Sequence, residues 1–197
     1  IATTLARLPA AKRHWVRIKT AGEAGAFGAS WVESQQQAEE WIRLWVEMRG
    51  IQISEFTISE YLPGRLFECF TIFKDGKLRV AKVYENMRFH PGTGIGLDVG
   101  STPAVARTID DDEAVEALKT SISAIEAVAS KVGSAPNGVY HLSAKHNAHD
   151  QPCITECNIG RPPSTLSFFS RTGKVNTAEL FLHYATGVDI PDPSPTF

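Results

Sequence analysis

Pro152-Cys153-Ile154-Thr155-Glu156-Cys157-Asn158-Ile159-Gly160-Arg161 is the stretch on which the fold of this chain turns. It has the composition of a short strand ending in a glycine turn. Side chains alternate along a strand, which puts Ile154, Glu156 and Asn158 on one face and Cys153, Thr155 and Cys157 on the other. A carboxylate and an amide two residues apart suit a hard cation, which takes oxygen ligands from such groups. Arg161 follows with a planar fork suited to carboxylate or phosphate. A strand end carrying a surface ion pair is the alternative reading.

Upstream, Gly138 to Lys145 alternates as a second strand, and the polar loop His146 to Gln151 makes the two a hairpin. Tyr140, Leu142 and Ala144 share one face; His141, Ser143 and Lys145 share the other. The face of His141 and Ser143 is expected beside that of Glu156 and Asn158. Before it lies a long helix. Asp110 is the expected cap with Glu113 as its box partner, and Asp111 and Asp112 suit the positive end of the helix. Val115, Leu118, Ile122, Ile125, Ala129 and Val132 form the expected buried stripe, ended by Gly133. His90 to Pro103, rich in glycine, is a loop of a length usually tied to function or disorder.

Phe67 to Phe73 and Leu78 to Tyr84 flank Lys74-Asp75-Gly76-Lys77, and Asp-Gly between apolar runs predicts a tight hairpin. Phe67, Cys69, Thr71 and Phe73 lie on one face and Glu68, Phe70 and Ile72 on the other, so the hairpin is expected to be covered on both sides. Ser54 to Glu60 reads as a strand running into the Pro63-Gly64 turn.

In the first part of the chain, residues 1–13 read as a short helix or a frayed end. His14 to Lys19 alternates, with Trp15, Arg17 and Lys19 on one face and His14, Val16 and Ile18 on the other. The loop from Thr20 to Ser30 carries Gly22, Gly25 and Gly28. It lacks the G-K-[ST] of a P-loop and does not match G-x-G-x-x-G. It is either a flap whose backbone approaches phosphates, with Arg17 and Lys19 at its base, or an ordinary hairpin loop. Ser30 to Glu33 is a short strand. Residues 35–49 form a helix with a Ser34/Gln37 capping box, a stripe of Ala38, Trp41, Ile42, Trp45 and Met48, and a stop at Gly50. A last helix spans Thr177 to Thr186, capped by Asn176 with Glu179 and stopped by Gly187, and residues 191–197 are a proline-rich tail.

The chain has 197 residues, 43% hydrophobic, enough for one core or two small lobes. A net charge of -2 with no basic block argues against nucleic-acid binding. No run approaches the ~20 apolar residues of a membrane span, and no signal-peptide pattern is seen. Cys69, Cys153 and Cys157 are sparse and lack C-x-x-C spacing, so reduced thiols and a cytoplasmic setting are expected, with Cys153 and Cys157 as buried small residues. The sequence begins at Ile1 without Met, which fits a processed chain or one that lacks an upstream domain.

The order of parts resembles the ATP-grasp superfamily, in particular the ATP-binding domain of the carbamoyl-phosphate synthase large subunit. Ser59-Glu60-Tyr61-Leu62-Pro63-Gly64-Arg65 is similar to the family's E-x-x-x-G hinge, and Thr155 to Arg161 to its closing E-x-N motif. The resemblance covers nearly the whole chain. It implies an α+β fold of two lobes with a nucleotide cleft between them: residues 1–62 as the small lobe and 63–197 as the large lobe. The family's usual preceding α/β domain is absent from this chain, so a missing N-terminal domain or a homo-oligomer is expected to complete it.

The resemblance also implies cofactors, ATP and Mg²⁺, and a reaction. A small carboxylate or bicarbonate is phosphorylated, and an amine or ammonia attacks the acyl phosphate. Phosphoryl transfer of this kind needs positioning and charge neutralisation more than covalent help. By resemblance, ATP contacts fall to Arg17, Lys19, Gly25, Glu60, Tyr61 and Leu62. Metal contacts fall to Glu156 and Asn158, with Ser143 where the family usually carries Asp, Glu or Gln. Arg161 would act with Glu156 and Asn158 in catalysis by holding the acid or acyl phosphate. The family's ribose acid falls near Leu66, with Glu68 two residues on. Serine at the third metal position leaves open a second expectation, a catalytically weak nucleotide-binding or sensing module.

Overall fold

A computed structural model of the chain describes residues 13–19, 28–90, 103–163 and 176–188. The expectations for residues 1–12, for the flap glycines Gly22 and Gly25, for the glycine-rich run 91–102 and for the tail 191–197 lie outside the described residues. The chain divides into two compact units, Ile1–Leu62 with Arg88–Val105, and Pro63–Met87 with Ala106–Phe197.

The first unit holds a three-stranded antiparallel sheet, β1 (His14–Ile18), β2 (Ser30–Val32) and β3 (Phe56–Glu60), in the order β2-β1-β3. Alternation decides which face is buried: Val16 and Ile18 lie opposite Ile58 and Phe56. They pack with Val32, Ala38 and Ile42 under helix α1 (Gln35–Arg49). Ser34 Oγ accepts from the Gln37 N–H, and the Gln37 side chain accepts from the Glu33 N–H. Gly50 takes the left-handed conformation, φ 67°, that ends the helix. Met48, expected in the buried stripe, is exposed, because the cluster takes in Trp45, Val46 and Ile51 and stops short of it. The strand expected from Ser54 starts at Phe56, after a turn of 3₁₀ helix at Ile53–Glu55.

The second sheet has the order β6-β5-β4-β7-β8, from β4 (Leu66–Lys74), β5 (Lys77–Phe89), β6 (Pro103–Thr108), β7 (Gly138–His146) and β8 (Pro152–Ile159). Asp75 and Gly76 both have positive φ, 52° and 78°, which is the two-residue hairpin turn the sequence predicts. β4 is buried from Phe67 to Phe73 because both faces are covered. Helix α2 (Asp112–Lys131) packs on Phe67, Cys69 and Ala144, and helix α3 (Thr177–Thr186) sets Leu180 on Phe70, Ile72 and Val139. β6 was not expected from the sequence; its residues alternate weakly and most are exposed.

α2 begins one residue later than expected. Asp111, not Asp110, is the cap and accepts from the Ala114 N–H at 2.9 Å, while Glu113 binds Arg65 rather than closing a capping box. Its contact face is made of Ala114, Ala117, Leu118, Ser121 and Ile125. Val132, expected in the stripe, is exposed. Small residues bring the helix close to the sheet, so the stripe shifts off the larger side chains.

Candidate functional site

The strand pair at the edge of the second sheet carries the site. Ser143 pairs with Glu156 but Ala144 pairs with Ile154, so Thr155 is an extra residue in β8. This β-bulge corrects the simple alternation. Ile154 turns to the α2 side and packs with Ile122 and Leu142. Glu156 and Asn158 emerge on the opposite face, against Ser143 and His141. Cys157 is exposed and Cys153 half-buried, so neither is the fully buried residue expected; only Cys69 is, and burial pushes its thiol up to about 12.

Across three strands, Glu68, Ser143 and Glu156 form one rung. Ser143 Oγ lies 2.7 Å from Glu68 Oε2 and 3.5 Å from Glu156 Oε1. Asn158 Nδ2 lies 3.4 Å from the same Glu156 oxygen, and Asn86 Nδ2 donates to Glu68 Oε1 at 3.0 Å. His141 Nε2 is 2.7 Å from Glu68 Oε2, a close contact in which the ring nitrogen misses hydrogen-bond alignment. Glu68 and Ser143 are buried, while Glu156 is exposed. Lys82 and Lys145 extend from the same face, opposite Phe70 and Leu66, and burial lowers the pKa of both ammonium groups. Arg161 is exposed just beyond Gly160, whose φ of 72° turns the chain out of β8.

Among the described residues no three His, Cys, Asp or Glu side chains gather as a metal cage. One exposed carboxylate with an amide and a hydroxyl beside it is instead the donor set of a weak oxygen site. That set fits Mg²⁺, which binds through one or two carboxylates together with phosphate oxygens. Ser143, Glu156 and Asn158 are therefore brought together as the sequence suggests. Glu68 was missed as a member. Its signal was an acid between two apolar residues on a strand covered on both faces.

Arg65, read from sequence only as part of the hinge, is a hub. Its guanidinium binds Glu85 through Nε and Nη2 at 3.0 and 2.9 Å, and Asp111 and Glu113 through Nη1 at 2.8 Å each. Arg107 binds the same Glu85 at 2.7 Å. The Arg65 hydrogen bonds lead the causes that hold the Glu85 carboxyl below its usual range. The turn before it is tight: the Gly64 N–H donates to His146 O at 3.0 Å, and His146 N–H donates to Arg65 O at 2.9 Å.

In the first unit, Arg17 on β1 and Lys19 just beyond its end are exposed, and Lys19 Nζ donates to Ser54 O at 3.1 Å. Glu60 lies opposite His14. Tyr61 is 6.5 Å from Trp15 between ring centroids. Arg13 sits over Trp31 at 4.1 Å and over Tyr61 at 5.9 Å, and bonds Glu33 at 3.0 Å. Leu62 is half-buried. Nothing in the sequence marked the Arg13 clamp, since its partners lie on two separate segments, Trp31 with Glu33 and Tyr61. Gly25 lies outside the described residues.

No protein-family model and no curated protein sequence matches the chain. Solved structures do. L-amino acid ligase from Bacillus licheniformis is similar over 92% of this chain and 41% of that one, with a TM-score of 0.58 at 15% identity. N5-carboxyaminoimidazole ribonucleotide synthetase from Thermotoga maritima is similar over 99% and 44%, with 0.62 at 10%. A biotin carboxylase–β,γ-ATP complex from Campylobacter jejuni is similar over 92% and 38%, with 0.62 at 14%. The fold is thus the α+β architecture shared by a set of ligases and synthetases. It is the ATP-grasp fold. The chain spans about half or less of the length of these proteins. No helix among the described residues is long and apolar enough to cross a membrane.

Proposed function

We propose that the chain is the ATP-binding part of an ATP- and Mg²⁺-dependent ligase that phosphorylates a small carboxylate, or bicarbonate, and passes the acyl phosphate to an amine or ammonia. The observation that carries this reading is the rung in which buried Ser143 meets the exposed carboxylate of Glu156, with Asn158 beside it, at a sheet face within an ATP-grasp fold. Within that fold the carbamoyl-phosphate synthase type is the proposed kind. Residues 1–62 and 63–197 are the proposed lobes, supported by the break between the compact units at Leu62, with Arg88–Val105 going with the first unit. A cytoplasmic setting and completion by a further domain or a second copy belong to the same proposal.

The roles follow from chemistry. Glu156, Asn158 and Ser143 would hold magnesium, which when bound neutralises triphosphate charge and draws electrons from the transferring phosphoryl group. Asn158 must present Oδ1, by a rotation of its amide. Arg17 and Lys19 would bind phosphate oxygens, with Lys19 exchanging the Ser54 carbonyl for them. Glu60, Tyr61 and Leu62 would read adenine, mainly through backbone groups. Arg161 would grip the acid or acyl phosphate with its fork.

Calorimetric titration with ATP, with and without Mg²⁺, tests nucleotide binding, and phosphate release on adding small carboxylates tests turnover. Metal-dependent ATP binding with carboxylate-stimulated release is expected, together with its loss in Glu156→Gln at unchanged circular dichroism. Absence of nucleotide binding would sink the reading. Binding without stimulated release would favour the second reading, a nucleotide-binding module without turnover, for which serine at position 143 is the specific observation.

A further inference from the structure

We infer that Glu68 acts through Ser143 as a positioning residue of the cation site, supplying from the neighbouring strand a negative charge that Ser143 lacks. The inference rests on the nucleotide and magnesium reading above. A serine hydroxyl has one proton and two lone pairs. At Ser143 two carboxylates compete for that proton, Glu68 at 2.7 Å and Glu156 at 3.5 Å. The shorter contact takes it. The lone pairs of Ser143 are then turned towards Glu156, and two acceptors face each other with no proton between them. A cation relieves that arrangement. Asn158 Nδ2, at 3.4 Å, answers it only weakly.

Glu68 is built to stay in place. It is 7% exposed, and Asn86 spends its amide N–H on Glu68 Oε1 while its own Oδ1 is buried without a hydrogen-bond partner. His141 closes the other side of the carboxylate at 2.7 Å. A carboxylate fixed in this way cannot turn out to ligate freely, but it polarises the hydroxyl it accepts from. Outer partners that orient a ligand and raise its basicity typically contribute about 10–100-fold in metal affinity.

The test uses Mn²⁺ as the probe with a non-hydrolysable ATP analogue, read by electron paramagnetic resonance and calorimetry on the full chain. Glu68→Gln should weaken Mn²⁺ binding by about 10–100-fold while metal-free binding of the analogue is unchanged. Ser143→Ala, which leaves Glu68 its other partners, should do the same. The double variant Glu68→Gln/Ser143→Ala should be no weaker than the worse single, because the two act as one unit. Glu68→Gln/Ser143→Asp should recover affinity, since it places a carboxylate at position 143 with an amide to support it. Wild-type Mn²⁺ affinity in either single variant, or additive losses in the double, overturns the inference while the functional reading stands. A wild-type chain that binds neither the analogue nor Mn²⁺ with it overturns the functional reading, and this one with it.

Discussion

Arg65→Ala should be among the most destabilising single changes in the second unit, and its cost can be built from its contacts. The change removes the fork on Glu85, whose side chain is 8% exposed, but leaves Arg107 on one of the two carboxylate oxygens. Breaking a buried pair outright costs about 3–5 kcal/mol, so a half-partnered Glu85 accounts for about 2 kcal/mol. The Asp111 and Glu113 contacts involve carboxylates 41% and 46% exposed and add at most about 0.5 kcal/mol each. Loss of the guanidinium from above Phe67, 4.7 Å away, adds about 0.5 kcal/mol. The total is about 3 kcal/mol, or a fall in melting temperature of roughly 6–12 °C for a chain of this size.

The pH dependence carries a sign. Glu85 has a depressed pKa in the folded protein, so its pairing stabilises above the ordinary glutamate range of about pH 4.3 and is lost as pH falls through the depressed value. Urea unfolding of wild type and variant should therefore differ fully near neutral pH and converge in acid. A loss below about 1 kcal/mol that does not change with pH would show that the cluster is a solvated face and that the reasoning is wrong.

Gly64→Ala should disturb the Pro63-Gly64 turn: its Cβ would fall 2.6 Å from His146 Cβ and 2.8 Å from His146 O, so about 1–3 kcal/mol is expected in thermal unfolding, and a neutral result would refute the close approach. Lys19→Ala should weaken ATP more than AMP in calorimetry, because AMP lacks the outer phosphates; equal weakening would make its Ser54 bond structural only. Tyr61→Ala should weaken ATP modestly and Glu60→Ala more, and the absence of an effect from both would move the adenine contact elsewhere.

Much of the fold was legible because local chemistry and tertiary packing agree. Asp75-Gly76 can make only a tight turn, Ser34 and Asn176 cap helices where nothing competes for them, and β4 reads apolar on both faces because helices cover both. The misses came where a distant partner outbid a local rule. Arg65 takes the carboxylate that a capping box at Glu113 needs, and it sits 48 residues away along the chain. The Ala114 and Ala117 face of α2 was unreadable because close packing, not hydrophobicity, selects it.

The site shows the same division. Glu156 and Asn158 keep period two with each other, so their shared face was readable. Ile154 was misplaced because a bulge costs a strand one residue of register and leaves no mark in composition. The bulge also has a consequence for chemistry. With unbroken alternation, an apolar Ile154 would stand beside Glu156 on the exposed face. With Thr155 inserted, Ile154 joins the core and Cys153, opposite Lys145, takes its place on the face of Glu156. Glu68 could be found only once three strands were in register, because its partners Asn86 and Ser143 lie 18 and 75 residues away. What the sequence shows as a lone acid inside a core strand is, in the folded chain, the inner end of a line of oxygen atoms leading through Ser143 to the exposed carboxylate of Glu156.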